Sequence, residues 1–291
     1  TLLYPLVFKS DFEIYEEEYK YSKGLPYKIY KFLYIDPEQN NKESFWNEID
    51  LGKYYALIIS NNRYRLLSNL ENAENDGNKI ASILSEQYNF EVDHLKNASE
   101  DQIYNAFSKL KKLDKNTNIL IYYSGHGKID SEANTGYWLP IDSHNERKSK
   151  WISDEDIKAE LRTINAKHIL VIADSCFSGT ILKRETNQYD TEKFIELSML
   201  SELSKIKTRL AITSGGESPV IDKKGNSQHS VFAKELIQAL KENEEIILAS
   251  RLYKIIKSRL HLNEKQKPQF DFIRDTGSHT GGDFIFLKRK N

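Results

Sequence analysis

From Lys53 onward, short apolar runs of strand length alternate with stretches of helical spacing. Tyr54-Tyr-Ala-Leu-Ile-Ile-Ser60 reads as a buried strand, and Ala73, Ile80, Ala81 and Leu84 recur at roughly helical spacing. A second strand is predicted over Phe90–Leu95. Ser99-Glu-Asp-Gln102 then has the capping-box form, opening a helix with Ile103, Phe107 and Leu110 on one face. Two longer runs follow, Ile119-Leu-Ile-Tyr-Tyr-Ser-Gly-His-Gly127 and His168-Ile-Leu-Val-Ile-Ala-Asp-Ser-Cys-Phe-Ser-Gly179. Both read as buried parallel strands that deliver a reactive side chain into the following loop. Between them lie a long polar loop and a helix starting at Ser153, with Ile157 and Leu161 inward. Lys183–Asp190 reads as an exposed loop, and a helical segment to about Lys205 leads into a strand at Arg209–Thr213. Amphipathic helices at Ser230–Lys241 and about Ala249–Leu260 precede a last strand, Asp283–Leu287. Strands alternating with helices predict an α/β fold with a mostly parallel central sheet and helices on both faces.

Residues 1–50 break this pattern. They are rich in Tyr, Phe, Lys and Glu, and show neither sustained helical spacing nor alternation. They are expected to be an N-terminal extension, with a short strand at Tyr27–Ile35. Residues 51–291 form the regular domain.

Composition narrows the field. The 291 residues are 39% hydrophobic and 29% charged, as in an ordinary globular protein. A net charge of −1 supplies no basic field for nucleic acid. A single cysteine forms no internal disulfide, and no apolar stretch approaches the roughly 20 residues that span a bilayer. A cytoplasmic protein without a membrane partner is expected. The chain starts at Thr1, not Met, which fits a processed or trimmed N-terminus.

The candidate chemistry lies at the ends of the two long runs. Open α/β sheets bind and react at the carboxyl ends of their strands. Cys176 stands there beside a glycine turn, and His126 lies between Gly125 and Gly127. A lone Cys is ordinarily a small core hydrophobe, and a lone His is ordinarily structural. Both falling at strand ends of one sheet favours catalysis. A thiol near pKa 8.5 and an imidazole near 6.5 stabilise each other as an ion pair when close. Cys176 would then attack a peptide carbonyl and His126 protonate the departing amine, with the N–H groups of Gly127 and Cys176 as oxyanion donors.

Tyr-Tyr-Ser-Gly-His-Gly and Asp-Ser-Cys-Phe-Ser-Gly resemble the His and Cys motifs of caspase-like proteases, in particular the metacaspase, paracaspase and bacterial branches. The spacing of about fifty residues from His to Cys matches that of caspases. The resemblance runs from about Tyr54 to Leu287 and takes in Thr213-Ser-Gly-Gly-Glu-Ser-Pro219 and Gly281-Gly-Asp-Phe-Ile-Phe286. It implies a caspase-like three-layer sandwich, with 51–190 large-subunit-like and 191–291 small-subunit-like.

The chain departs from true caspases at the pocket that sets specificity. It has Asp174 two residues before Cys176, where caspases carry a Gln-Ala-Cys form. The resemblance to metacaspases and paracaspases implies that Asp174, Asp76 and Glu217 line a pocket for a basic side chain. Converging carboxylates suit a guanidinium or ammonium. Cleavage after Arg, with Lys second, is therefore expected. Plainer readings stand beside this one: Asp76 as a solvated acid early in its helix, Asp174 as a loop cap, Glu217 as a surface acid.

Lys183-Arg184 is a candidate autoprocessing site, or simply a solvated basic pair. No resident cofactor is expected. Metacaspases often need calcium, and Asp142, Asp154, Glu155 and Asp156 offer oxygen ligands, although acids also favour a helix start. The partner expected is a protein substrate with a basic residue at the cleaved bond, with an upstream regulatory domain or partner controlling activity. The competing readings are a catalytically silent interaction module and another thiol enzyme, such as a transferase or deamidase.

Overall fold

The computed structural model describes residues 12–22, 25–34, 50–175, 178–182, 197–215, 227–261, 266–279 and 281–289, with the backbone alone at 12–34, 178–179, 197–199 and 261. The chain divides into two units, Thr1–Asp50 with Thr191–Ser201, and Leu51–Asp190 with Glu202–Asn291.

In the first unit, β1 (Phe12–Ser22) and β2 (Leu25–Tyr34) form an antiparallel pair. β2 lies where a strand is predicted, while β1 is not legible. The register shifts between Ile14 and Glu16, and a bulge resets which positions share a face. Accordingly the apolar positions change parity there, from Phe12 and Ile14 to Tyr19 and Tyr21.

The second unit is built on a six-stranded sheet. Its strands are β3 (Lys53–Ser60), β4 (Glu91–Lys96), β5 (Thr117–Ser124), β9 (His168–Asp174), β10 (Thr208–Thr213) and β12 (Gln269–Phe272). Their order is β12-β10-β9-β5-β3-β4, all parallel except the edge strand β12. β5 and β9 are buried along their whole length, which explains their unbroken apolar runs. One face carries α1 (Ala73–Tyr88), α5 (Val231–Glu242) and α6 (Ala249–His261), packed on Ile58, Tyr122, Ile172 and Ile212. The other carries α2 (Glu100–Leu110) and α3 (Asp154–Thr163), packed on Leu57, Ile121, Val171 and Ala211. This is the expected three-layer arrangement. Both predicted Ser-led starts are N-caps: Ser99 and Ser153 each complete a capping box, with Gln102 and Asp156. α4 (Leu197–Lys205) ends where the helical segment is predicted to end.

Two expectations need correction. The stretch predicted as a long polar loop holds a small antiparallel sheet, β6 (Gly127–Asp130), β7 (Thr135–Trp138) and β8 (Ile152–Ser153). Strands of two to four residues, half-buried in β6, carry too little alternation to read. The last strand, β13 (Ile285–Leu287), lies outside the main sheet and pairs antiparallel with β11 (Ile246–Leu248). Among the described residues, no helix is long and apolar enough to cross a membrane.

Candidate active site

Sheet register sets the site. Ser60 of β3 pairs with Ser124 of β5, and Ser124 pairs with Asp174 of β9. The three parallel strands therefore end level. In the sequence, His126 and Cys176 each follow by two residues a member of the pair Ser124–Asp174. The chain leaves two adjacent sheet positions just before each candidate catalytic residue. Cys176, Glu217, Lys183 and Arg184 lie outside the described residues.

His126 is held from several sides. Its N–H donates to Tyr64 Oη at 2.7 Å, and its carbonyl accepts from Tyr123 Oη at 2.7 Å and from Leu139 N–H at 3.0 Å. The Tyr64 ring lies 4.6 Å from the imidazole, centre to centre. Gly125 makes this closeness possible, because a Cβ there would meet Tyr64 Oη at 2.7 Å and Tyr123 Oη at 2.9 Å. Gly127 opens β6 opposite Trp138, whose ring stacks on Tyr123 at 4.3 Å. The imidazole Nε2 lies 2.8 Å from the carbonyl oxygen of Ser68. A carbonyl only accepts, so the neutral ring keeps its proton on Nε2 and its lone pair on Nδ1. Such a ring holds its Nε2–H on the Ser68 carbonyl and turns its Nδ1 lone pair away from it. Nothing in the sequence pattern marks Ser68 or Tyr64, which lie about sixty residues upstream.

Two of the predicted pocket acids meet. Asp76 is 0% exposed and Asp174 is 4% exposed. Ser230 joins them: its Oγ donates to Asp174 Oδ2 at 2.5 Å, and its N–H donates to Asp76 Oδ2 at 3.2 Å. The same Oγ accepts from Ala233 N–H at 2.9 Å, capping α5. The amino end of α5 thus faces both carboxylates, where the helix dipole favours negative charge. Asp76 Oδ1 also takes Nδ1–H of His229 at 2.7 Å. Burial first, then Lys241 and Lys79, lower the His229 pKa, so at neutral pH this ring donates a hydrogen bond without bringing a charge. Asp76 reaches the sheet because Gly77 follows it; a Cβ there would meet His94 Nε2 and the Ser60 side chain at 2.8 Å. The reading of Asp76 as a solvated acid early in its helix therefore does not hold. Ser230 was legible only as a helix start, and its bridging role appears only in three dimensions.

The four acids considered for calcium have separate tasks. Asp142 accepts Glu100 N–H at 3.0 Å, Asp156 completes the Ser153 capping box, and Glu155 pairs with Lys158 at 3.0 Å. Asp154 is buried, accepts Gly136 N–H at 3.0 Å and bonds the Thr180 side chain in the turn Ser178–Ile181. Burial raises its pKa, offset in part by these bonds and by Lys158. Among the described residues, no group of three or more His, Cys, Asp or Glu converges as a metal site.

The chain matches the family model of the caspase domain over residues 53–276. Among solved structures it is similar to the crystal structure of protein GSU0716 from Geobacter sulfurreducens, a structural-genomics target. That match has a TM-score of 0.56 and 20% sequence identity, and covers 78% of this chain and 97% of the other. At that identity the likeness speaks for the fold alone. No curated protein matches. The family match takes in the whole six-stranded sheet and the His126 and Asp174 strand ends, and the chain therefore belongs to the caspase-domain family of cysteine peptidases.

Proposed function

We propose that this protein is a cysteine endopeptidase that cleaves protein substrates after Arg, with Lys second. Cys176 is the nucleophile and His126 its proton partner. The Cys176 sulfur bonds to the scissile carbonyl carbon, the C–N bond breaks, and the proton held by His126 goes to the departing amine. Water activated by the same imidazole then releases the acid and restores the thiol. The N–H groups of Gly127 and Cys176 serve the oxyanion. The basic side chain of the substrate enters beside Asp174 and Asp76, with Glu217 as a third acid. Lys183-Arg184 is the autoprocessing site, and an upstream domain or partner regulates the enzyme.

The observation that carries this reading is the pair of buried carboxylates joined through Ser230, level with the strand end that precedes His126. Two buried carboxylates side by side suit a cation far better than the aspartate side chain that true caspases select. The test is turnover of fluorogenic peptides ending in Arg, Lys or Asp by the wild-type chain and by Cys176→Ala. Preference for Asp, or equal turnover by the variant, would refute the proposal.

A further inference from the structure

Tyr122 lies on β5 two residues before Ser124, whose register partner is Asp174. Side chains alternate across a strand, so Tyr122 shares a face with Ile172 and Asp174. That face is covered by α1 and α5, the helices that bring Asp76 and Ser230. Tyr122 is 0% exposed, yet among the described residues its Oη has no well-formed hydrogen-bond partner, with only the Ser124 hydroxyl close enough to favour its anion. Native interiors rarely leave a hydroxyl so placed, and such groups cluster where a ligand or water completes them. Burial first, then the Asp174 and Asp76 carboxylates, push the phenol well above its usual pKa, a rise that the nearby Ser124 hydroxyl partly offsets. The group is therefore neutral at working pH and keeps its oxygen lone pairs. Ser214, just past the end of β10 and two residues after Ile212, also buries a hydroxyl that has no partner among the described residues.

The acceptors near the two acids are already in demand. Both Asp76 oxygens and one Asp174 oxygen receive bonds from His229 and Ser230. An ammonium brings three donors, whereas a guanidinium brings five in a planar fork. A site meant for the larger set needs an acceptor beyond the carboxylates. We propose that Tyr122 determines specificity in this pocket, its hydroxyl accepting a guanidinium N–H and so favouring Arg over Lys at the cleaved bond. This rests on the basic-pocket reading above.

The test compares wild type with Tyr122→Phe, using Arg and Lys peptides, benzamidine and benzylamine as competitive probes, and thermal melts. In the variant the Arg-to-Lys ratio of kcat/KM should fall by about tenfold, the usual weight of one hydrogen bond to a charged group. The fall should come through KM for the Arg peptide. Benzamidine should weaken by a similar factor and benzylamine hardly at all, while Tm holds or rises because an unpaired hydroxyl is gone. An unchanged ratio with a lowered Tm would make the phenol structural and overturn the inference alone. A wild type that turns over no basic peptide would overturn the pocket reading, and this inference with it.

Discussion

The two ends of the central sheet both bury charge, but they treat it differently. At the amino end, Arg209 is 0% exposed and spends its guanidinium on four backbone carbonyls, those of Lys167, Thr208, Ile164 and Ala166, at 2.8 to 3.1 Å. Burial lowers its pKa to about 10, so it stays charged at neutral pH. Beside it, Asn118 donates to the carbonyls of Leu51 and Lys53, and its Oδ1 meets His168 Nδ1 at 2.6 Å. This polar cluster ties the start of β10 to the loop before β9, although Arg209 Nε has no partner among the described residues. At the carboxyl end, Asp76 and Asp174 are as deeply buried, yet Tyr122, Ser175, Thr213 and Ser214 nearby keep hydroxyls that have no well-formed partner among the described residues. Unsatisfied polar atoms are costly in a low-dielectric interior, and strain of this kind gathers at functional sites. The amino end spends most of its polar groups on the backbone, whereas the carboxyl end leaves several hydroxyls without partners among the described residues.

That contrast can be broken by substitution. The largest effect belongs to His126→Ala, which should cut turnover of Arg peptides by about 10⁴-fold or more while leaving the melting temperature nearly unchanged. A retained rate would remove His126 from the chemistry. At the opposite end, Arg209→Met takes the guanidinium donors away from four carbonyls and should cost about 3–5 kcal/mol, read in urea melts, with normal kcat for the molecules that stay folded. A stable but inactive Arg209→Met protein would show that the two ends are not independent. Asp174→Asn should lower kcat/KM for Arg peptides by about 10²–10³-fold, since one member of a desolvated charge pair is lost, with stability held or slightly raised. Equal loss of activity and stability would return Asp174 to a purely structural role.

The smallest effect is a pH slope from His94, next to the pocket. Burial first, then Lys96, lower its pKa to about 4, and its Nε2 meets Ser60 Oγ at 2.7 Å. The folded ring resists protonation, while the unfolded ring takes a proton near 6.5. The unfolded state therefore binds more protons between about 6.5 and 4, and stability should fall as pH drops through that window. Because the ring is partly exposed, about 1 kcal/mol is expected, discounted for solvent screening. Denaturation midpoints of wild type and His94→Gln across that range would measure it; parallel curves would rule the His94 contribution out.

Some of this was readable along the chain because its physics is local. Ser99 and Ser153 announce capping boxes within four residues, and β5 and β9 announce themselves by runs that both faces of a parallel sheet must bury. β1 escaped because a bulge changes the parity of its apolar positions, and β6 to β8 because they are short. The motifs around His126 and Cys176, with the acids Asp76 and Asp174, named the candidate chemistry.

Residue types and their spacing settled most of the elements and the parallel sheet and named candidate reacting groups, since propensity and periodicity act over a few residues. Folding alone decided that Asp76 and Asp174 meet through Ser230, that Ser68 sets the His126 tautomer, and that Tyr122 buries its hydroxyl without a well-formed partner among the described residues. Those contacts join segments far apart in the chain, and no local pattern encodes a hydrogen bond whose partner is chosen by packing.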